Sequence, residues 1–166
     1  MTGTTCPLAR NLAPTRVTTG GYGSVAGAVL RSARRSARVS QARLAATCGV
    51  TENTIRAWES GSSPLASIPM RQIEALIAAL HQASACRALT ADLVTAAWCD
   101  LVITASAAGE DTTCLLADPL IADAAFGELM AWSLEGRVPE RYLPYATPGP
   151  LVRDQTLIER VRRALD

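Results

Sequence analysis

Residues 39–61, VSQARLAATCGVTENTIRAWESG, gather the polar chemistry of this chain into one short stretch. Gln41 and Asn53 carry carboxamides, each with a donor beside an acceptor. Arg43 and Arg56 carry guanidinium forks, Glu52 is acceptor-only, and Thr51 and Ser60 are hydroxyls. Between them fall Leu44, Ala45, Cys48, Gly49, Val50, Ile55 and Trp58. Two arrangements fit this alternation. One is a pair of short helices joined by a tight turn and laid against DNA, and the other is a pair of ordinary core helices whose outer face reads nothing.

The spacing separates them. With Gln41 as the first residue of a helical pair, Ala45 falls where two helices approach closest and only a small side chain fits. Gly49 falls where the backbone must turn with positive φ, which glycine does without steric cost. Leu44, Cys48, Val50, Ile55 and Trp58 fall at positions that must be buried between the helices. Seven positions are satisfied together, a more demanding match than apolar periodicity.

The elements that hold this pair in place are legible around it. A first helix is expected from about Ser24 to Arg38, burying Val25, Val29, Leu30 and Ala33. Ser40 caps the second helix, which reaches Cys48, and Thr51 caps a third that ends at Ser60 and Gly61. After the loop GSSPLAS, a fourth helix has Pro69 near its first turn and Ile73, Leu76, Ile77 and Leu80 on one face. Thr90 is expected to cap a helix carrying Leu93, Val94, Ala97, Trp98, Leu101 and Val102, stopping near Gly109. Asp118-Pro119 opens another, with Leu120, Ile121, Ala124, Leu129 and Met130 inward, stopping at Gly136. VPERYLPYATPGP has too many prolines for a helix and reads as an extended arm. Asp154 caps a last helix with Leu157, Ile158, Val161 and Leu165 on one face. No segment alternates like a strand, so the fold class is all-α: residues 1–23 a flexible arm, 24–84 one helical domain, 85–166 a second.

Composition narrows the function. All 16 Lys+Arg residues are Arg, a mark of GC-rich coding rather than of chemistry. The net charge of +1 hides a division. Residues 1–61 hold eight Arg against Glu52 and Glu59, or +6, and residues 62–166 hold eight Arg against thirteen acids, or −5. The first part suits a polyanion and the second does not. The arm brings Arg10 and Arg16. Its GYGSVAG stretch lacks the preceding strand and the glycine spacing of a phosphate-cradling loop. Five cysteines without CxxC spacing and one histidine, His81, argue against a disulfide framework, a metal or a cofactor. Cys86, Cys99 and Cys114 are expected to be buried, inert thiols rather than oxidation sensors. Trp98, Trp132, Tyr142 and Tyr145 are expected to fill a core rather than line a ligand pocket. No nucleophile motif is present, so the chain is not expected to be an enzyme. Asp100 interrupts the best apolar run and no signal segment opens the chain, so a cytoplasmic protein with no membrane contact is expected.

Residues 24–82 resemble the lambda-repressor-like (Cro-type, xenobiotic-response-element or XRE) helix-turn-helix family. The resemblance is carried by LRSARRSARVSQARLA, CGVTENTIRAWESG and IEALIAAL, a little over a third of the chain. It departs from the family at Arg38, where glycine is usual, and in a longer loop after Gly61. The resemblance implies that the third helix enters the major groove of double-stranded DNA by its N-terminal end. Its outward residues are then Thr51, Glu52, Asn53, Arg56, Ala57 and Ser60. Asn53 would pair with adenine, Arg56 with guanine or a phosphate, Glu52 with cytosine N4 and Ala57 with a thymine methyl, while Glu52 equally suits the helix dipole. Gln41 resembles the family's phosphate anchor. Arg34 and Glu59 resemble its structural ion pair. Arg31, Arg35, Arg38 and Arg43 remain for phosphates; about four contacts per subunit give a dimer a log–log salt slope of about −7.

One such module reads few base pairs, so a homodimer on an inverted repeat is expected. Residues 85–166 would either pack on the first domain or dimerise, with the proline-rich arm and last helix crossing to the partner. The resemblance thus implies a bacterial transcription regulator, a repressor in its simplest form, with activation through RNA polymerase as a variant. The alternative is an antitoxin or anti-regulator whose C-terminal half neutralises a small protein partner.

Overall fold

The computed structural model describes residues 24–117 and 123–165. The N-terminal arm with Arg10 and Arg16, and the helix start at Asp118-Pro119 with Leu120 and Ile121, lie outside the described residues.

Local capping chemistry sets the first helices. α1 (Ser24–Ser36) buries Val25, Val29, Leu30 and Ala33. It stops two residues short of the expected end because Arg38 turns left-handed at φ 56, its N–H donating to the Arg35 carbonyl. The Ser40 hydroxyl accepts the Arg43 N–H and opens α2 (Gln41–Cys48), which Gly49 closes at φ 67. The Thr51 hydroxyl accepts the Thr54 N–H and opens α3 (Glu52–Ser60), closed by Gly61 at φ 75. Leu44, Ala45, Ile55 and Trp58 are buried as expected, and Cys48 and Val50 are half-buried. A single 3-10 turn, Leu65–Ser67, leads into α4 (Met70–Gln82), with Pro69 as its capping residue.

The second half departs more from expectation. α5 (Arg87–Ala108) starts three residues before Thr90. Its cap is Cys86, whose N–H donates to the Ser36 hydroxyl, while the Thr90 hydroxyl lies inside the first turn and donates to the Arg87 carbonyl. A short α6 (Thr113–Leu116) follows. α7 (Ala124–Glu135) is capped by Asp123, whose carboxylate accepts the Ala125 N–H, and ends at Gly136 as expected. The arm makes one 3-10 turn, Glu140–Tyr142. Asp154 caps α8 (Gln155–Leu165) by accepting from Thr156 and Leu157, though Leu165 is exposed. Every regular element among the described residues is a helix, none is a strand, and the chain is all-α.

α5 is the axis of the fold. It packs most extensively on α1 and also meets α4, α6, α7, α8 and both 3-10 turns. Because neighbours surround it, the apolar face is wider than one stripe: Leu89, Ala96, Cys99 and Ile103 are buried alongside Leu93, Ala97 and Val102. By length and composition alone it could cross a membrane, but most of it is buried inside this fold. One apolar cluster runs from Val25 in α1 to Val161 in α8. The described residues of the second half therefore pack on the first helices within the chain, and α8 lies on the chain's own α5.

Two contacts fix α1. The buried Asp100 carboxylate, on α5, accepts the N–H groups of Val25 and Ala26, each at 3.0 Å. It satisfies donors that the first turn of a helix cannot satisfy itself and sets an anion at the positive end of the dipole. In the same turn, Gly27 lies so close to α3 that an added Cβ would sit 2.7 Å from the carbonyl oxygens of both Trp58 and Glu59. Asp100→Ala strands two buried amides and is expected to cost about 3 kcal/mol. Gly27→Ala is expected to cost about 2 kcal/mol by forcing α1 and α3 apart. Urea unfolding monitored by circular dichroism measures both; a loss below about 0.5 kcal/mol in either refutes the corresponding contact as a determinant of α1 placement.

Candidate nucleic-acid interface

The inner support of α3 is a buried carboxylate. Glu59 is 3% exposed. It accepts from Arg34 through both oxygens, at 2.5 Å from Nε and 3.0 Å from Nη2, and from the Gln41 amide at 2.8 Å. Arg34 reaches on to the Val39 carbonyl at 2.9 Å, and Arg31 donates to the Glu59 carbonyl at 2.7 Å. One carboxylate thereby joins the last turn of α3 to α1 and to the start of α2. The expected Arg34–Glu59 pair is present, and the Gln41 side chain is its third member.

The outer face of α3 carries the expected readers. Thr51, Glu52, Asn53, Arg56 and Ser60 are exposed, and Ala57 is half-buried. Three of them engage one another: Arg56 donates to Glu52 at 3.0 Å and to Asn53 at 3.0 Å. Thr51 and Thr54 share a hydroxyl hydrogen bond at 2.8 Å. Ser60 donates to the Ala57 carbonyl at 3.1 Å. Between α1, the start of α2 and α3 lies an open groove of about 550 Å³, walled by Arg31, Arg34, Arg35, Gln41, Arg56 and Ser60.

The phosphate candidates divide. Arg31 is committed to Glu59, and Arg35 donates to the Tyr145 carbonyl at 2.8 Å. Both are therefore withdrawn from the four expected backbone contacts. Arg38 and Arg43 are exposed, without a side-chain partner among the described residues, and flank the first turn of α2.

Tyr145 belongs to the proline-rich segment, so that segment reaches the wall of the groove. Its anchor is a cluster that sequence reasoning missed. Asp92 on α5 accepts from the Tyr142 hydroxyl and from Arg141, both at 2.7 Å, and Arg141 also pairs with Glu128 on α7. Tyr142 is fully buried against Trp132, ring centroids 5.0 Å apart. Burial, reinforced by the Asp92 hydrogen bond, pushes the Tyr142 phenol well above its usual range. Burial opposes the Arg141 charge, but the bonds to Glu128 and Asp92 outweigh it and raise the pKa. The available signal was two aspartates, 92 and 100, in a helix rich in apolar residues, since buried acids need partners. Their partners lie 50 and 75 residues away and have no local signature. Trp132 and Tyr142 fill core, as expected. Among the described cysteines only Cys99 is buried, where burial raises its thiol pKa; Cys86 and Cys114 are exposed, contrary to expectation.

Residues 25–93 match a family model described as a helix-turn-helix domain. No curated protein and no solved structure matches the chain. The chain carries a helix-turn-helix domain of the DNA-binding kind, and the match runs past α4 into α5, in keeping with the packing of α5 on α1.

Arg34→Ala leaves the Glu59 charge buried without its main partner and is expected to cost about 3 kcal/mol. Arg34→Ala/Glu59→Ala should fall clearly short of the sum of the two single losses. A double-mutant cycle from denaturant midpoints checks this, and additive losses exclude direct coupling.

Proposed function

We propose that this protein is a sequence-specific transcription regulator, in its simplest form a repressor, that binds an inverted-repeat operator as a homodimer. The observation that supports this reading is the exposed polar face of α3, held on a buried Glu59 hub and flanked by Arg38 and Arg43. α3 would present Asn53 and Arg56 to base edges in the major groove, with Thr51, Ala57 and Ser60 beside them. Gln41, Arg38 and Arg43 would meet phosphates where the dipole of α2 favours an anion. Residues 85–166 would supply the dimer contact or an effector surface, RNA polymerase included, and the protein would act in the cytoplasm without catalysis.

Selection of binding sites from a random duplex pool tests this directly. The wild type should enrich an inverted repeat with half-site centres about one helical turn apart, and Asn53→Ala/Arg56→Ala should lose it. No enrichment would overturn the reading and turn the search toward a small protein partner of the acidic half.

A second measurement addresses the backbone contacts. Of the four phosphate candidates Arg31, Arg35, Arg38 and Arg43, the last two have no side-chain partner among the described residues. If these two make the backbone contacts, a dimer neutralises about four phosphates and its log–log salt slope should be about −4 rather than about −7. Arg38→Gly should make that slope shallower by about 2 per dimer. It should also leave folding stability equal or improved by up to about 1 kcal/mol, because glycine accepts the left-handed backbone without strain. An unchanged slope would remove Arg38 from the interface.

A further inference from the structure

We infer that Glu52 is a positioning residue rather than a base reader: together with Asn53 it holds the Arg56 guanidinium as a fork for guanine. The inference rests on the DNA-binding reading above and specifies what that face recognises.

The three side chains lie at i, i+1 and i+4 on the first turns of α3. Arg56 Nη2 donates to Glu52 Oε1 and Nη1 donates to Asn53 Oδ1, both at 3.0 Å. Both ends of the guanidinium are therefore restrained, although the Arg56 and Glu52 side chains remain 59% and 47% exposed. A guanidinium has five N–H donors. Two are spent on Glu52 and Asn53, three remain, and the major-groove edge of guanine asks for two, at O6 and N7. Holding a long side chain before DNA arrives also reduces the ordering that binding must impose.

Charge leads to the same assignment. A free arginine beside DNA is drawn to phosphates, which lie along both edges of the groove and carry no sequence information. Paired with Glu52 the unit is close to neutral, so its attraction to the backbone is largely cancelled and the base edge decides whether it binds. Asn53 is affected as well. With Oδ1 accepting from Arg56, its amide presents two N–H donors outward, a pattern suited to acceptors such as N7, O6 or O4 rather than to the two-way pairing with adenine. The half-site under this face is accordingly specified by acceptors, with a guanine beneath Arg56.

The test combines site selection with salt titration on full-length wild type, Arg56→Ala, Glu52→Ala and Glu52→Gln. The wild type should select a guanine that Arg56→Ala loses. Glu52→Ala should weaken discrimination at that same guanine by about tenfold, a typical share of one bidentate contact. It should also bind unselected DNA more tightly, with a salt slope steeper by about 0.9 per subunit as Arg56 is released to phosphates. Glu52→Gln keeps an acceptor for Arg56 but not the charge, so it should hold more of the guanine preference than Glu52→Ala while sharing its tighter binding to unselected DNA. If Glu52→Ala instead loses a cytosine at a neighbouring position and keeps the guanine, Glu52 reads a base, and the inference fails while the DNA-binding reading stands. Equal weakening on all DNA at an unchanged slope would show a purely structural role and also overturn it. Absence of any enriched sequence in the wild type would overturn the reading beneath it.

Discussion

The placement of α3 depends on the seat of α1 on α5, which the buried Asp100 carboxylate fixes. Its two hydrogen bonds to Val25 and Ala26 set the start of α1. The next residue, Gly27, brings the helix against the last carbonyls of α3. Two turns further, Arg34 enters the Glu59 carboxylate, which also holds Gln41. The contacts form a sequence of dependence, from α5 to α1 to Glu59 and from there to the angle of α3. An outward face made of Thr51, Glu52, Asn53 and Arg56 has a fixed direction only because that series is unbroken. The first and last links use a buried carboxylate whose partners are supplied by another helix, and the middle one a close backbone approach that leaves no room for a side chain.

The arginines gain meaning from the same framework. A surplus of +6 over residues 1–61 suggests a broad cationic surface. Within the structure, Arg34 lies inside the hub, Arg31 is tied to Glu59, Arg35 to the Tyr145 carbonyl and Arg56 to Glu52. Formal charge therefore overstates the attraction for a polyanion, because committed cations release few counterions. A face built this way depends on geometry more than on bulk charge. The proline-rich segment takes part through Arg35: its anchor at Asp92, Tyr142 and Arg141 is on α5 and α7, while its tip touches α1. The acidic half is thus in physical contact with the groove wall as well as with the core.

What could be read from the sequence was what neighbouring residues encode. Ser40, Gly49, Thr51, Gly61, Gly136 and Asp154 act on bonds within a few residues, and each sits where its chemistry required. The helix-turn-helix was legible because its burial pattern is also local. The start and inner face of α5 were not. Its cap is completed by Ser36, fifty residues earlier, and a helix enclosed by α1, α7 and α8 has no single apolar stripe for periodicity to find. The Asp92 cluster and the Arg35 contact belong to the same class, since their partners meet only after the chain has folded. At the site, the residue types on α3 were foreseeable, but the mutual bonding of Glu52, Asn53 and Arg56 follows from side-chain geometry on the helix surface.

Arg38 shows how local strain and the proposed role fit together. It holds φ 56 at the end of α1, where a glycine would make the same left-handed turn freely. A side chain there costs about 1 kcal/mol, and its exposure means that no core packing offsets it. Ser84 makes the same turn at φ 63 at the end of α4, so the backbone solution recurs, but serine is short and polar. A long cation at such a turn is hard to account for by folding alone. Beside the first turn of α2, with Arg43 three residues past the Ser40 cap, it adds charge where the helix dipole already favours an anion. A strained backbone carrying an unpartnered guanidinium is consistent with a side chain retained for what it binds.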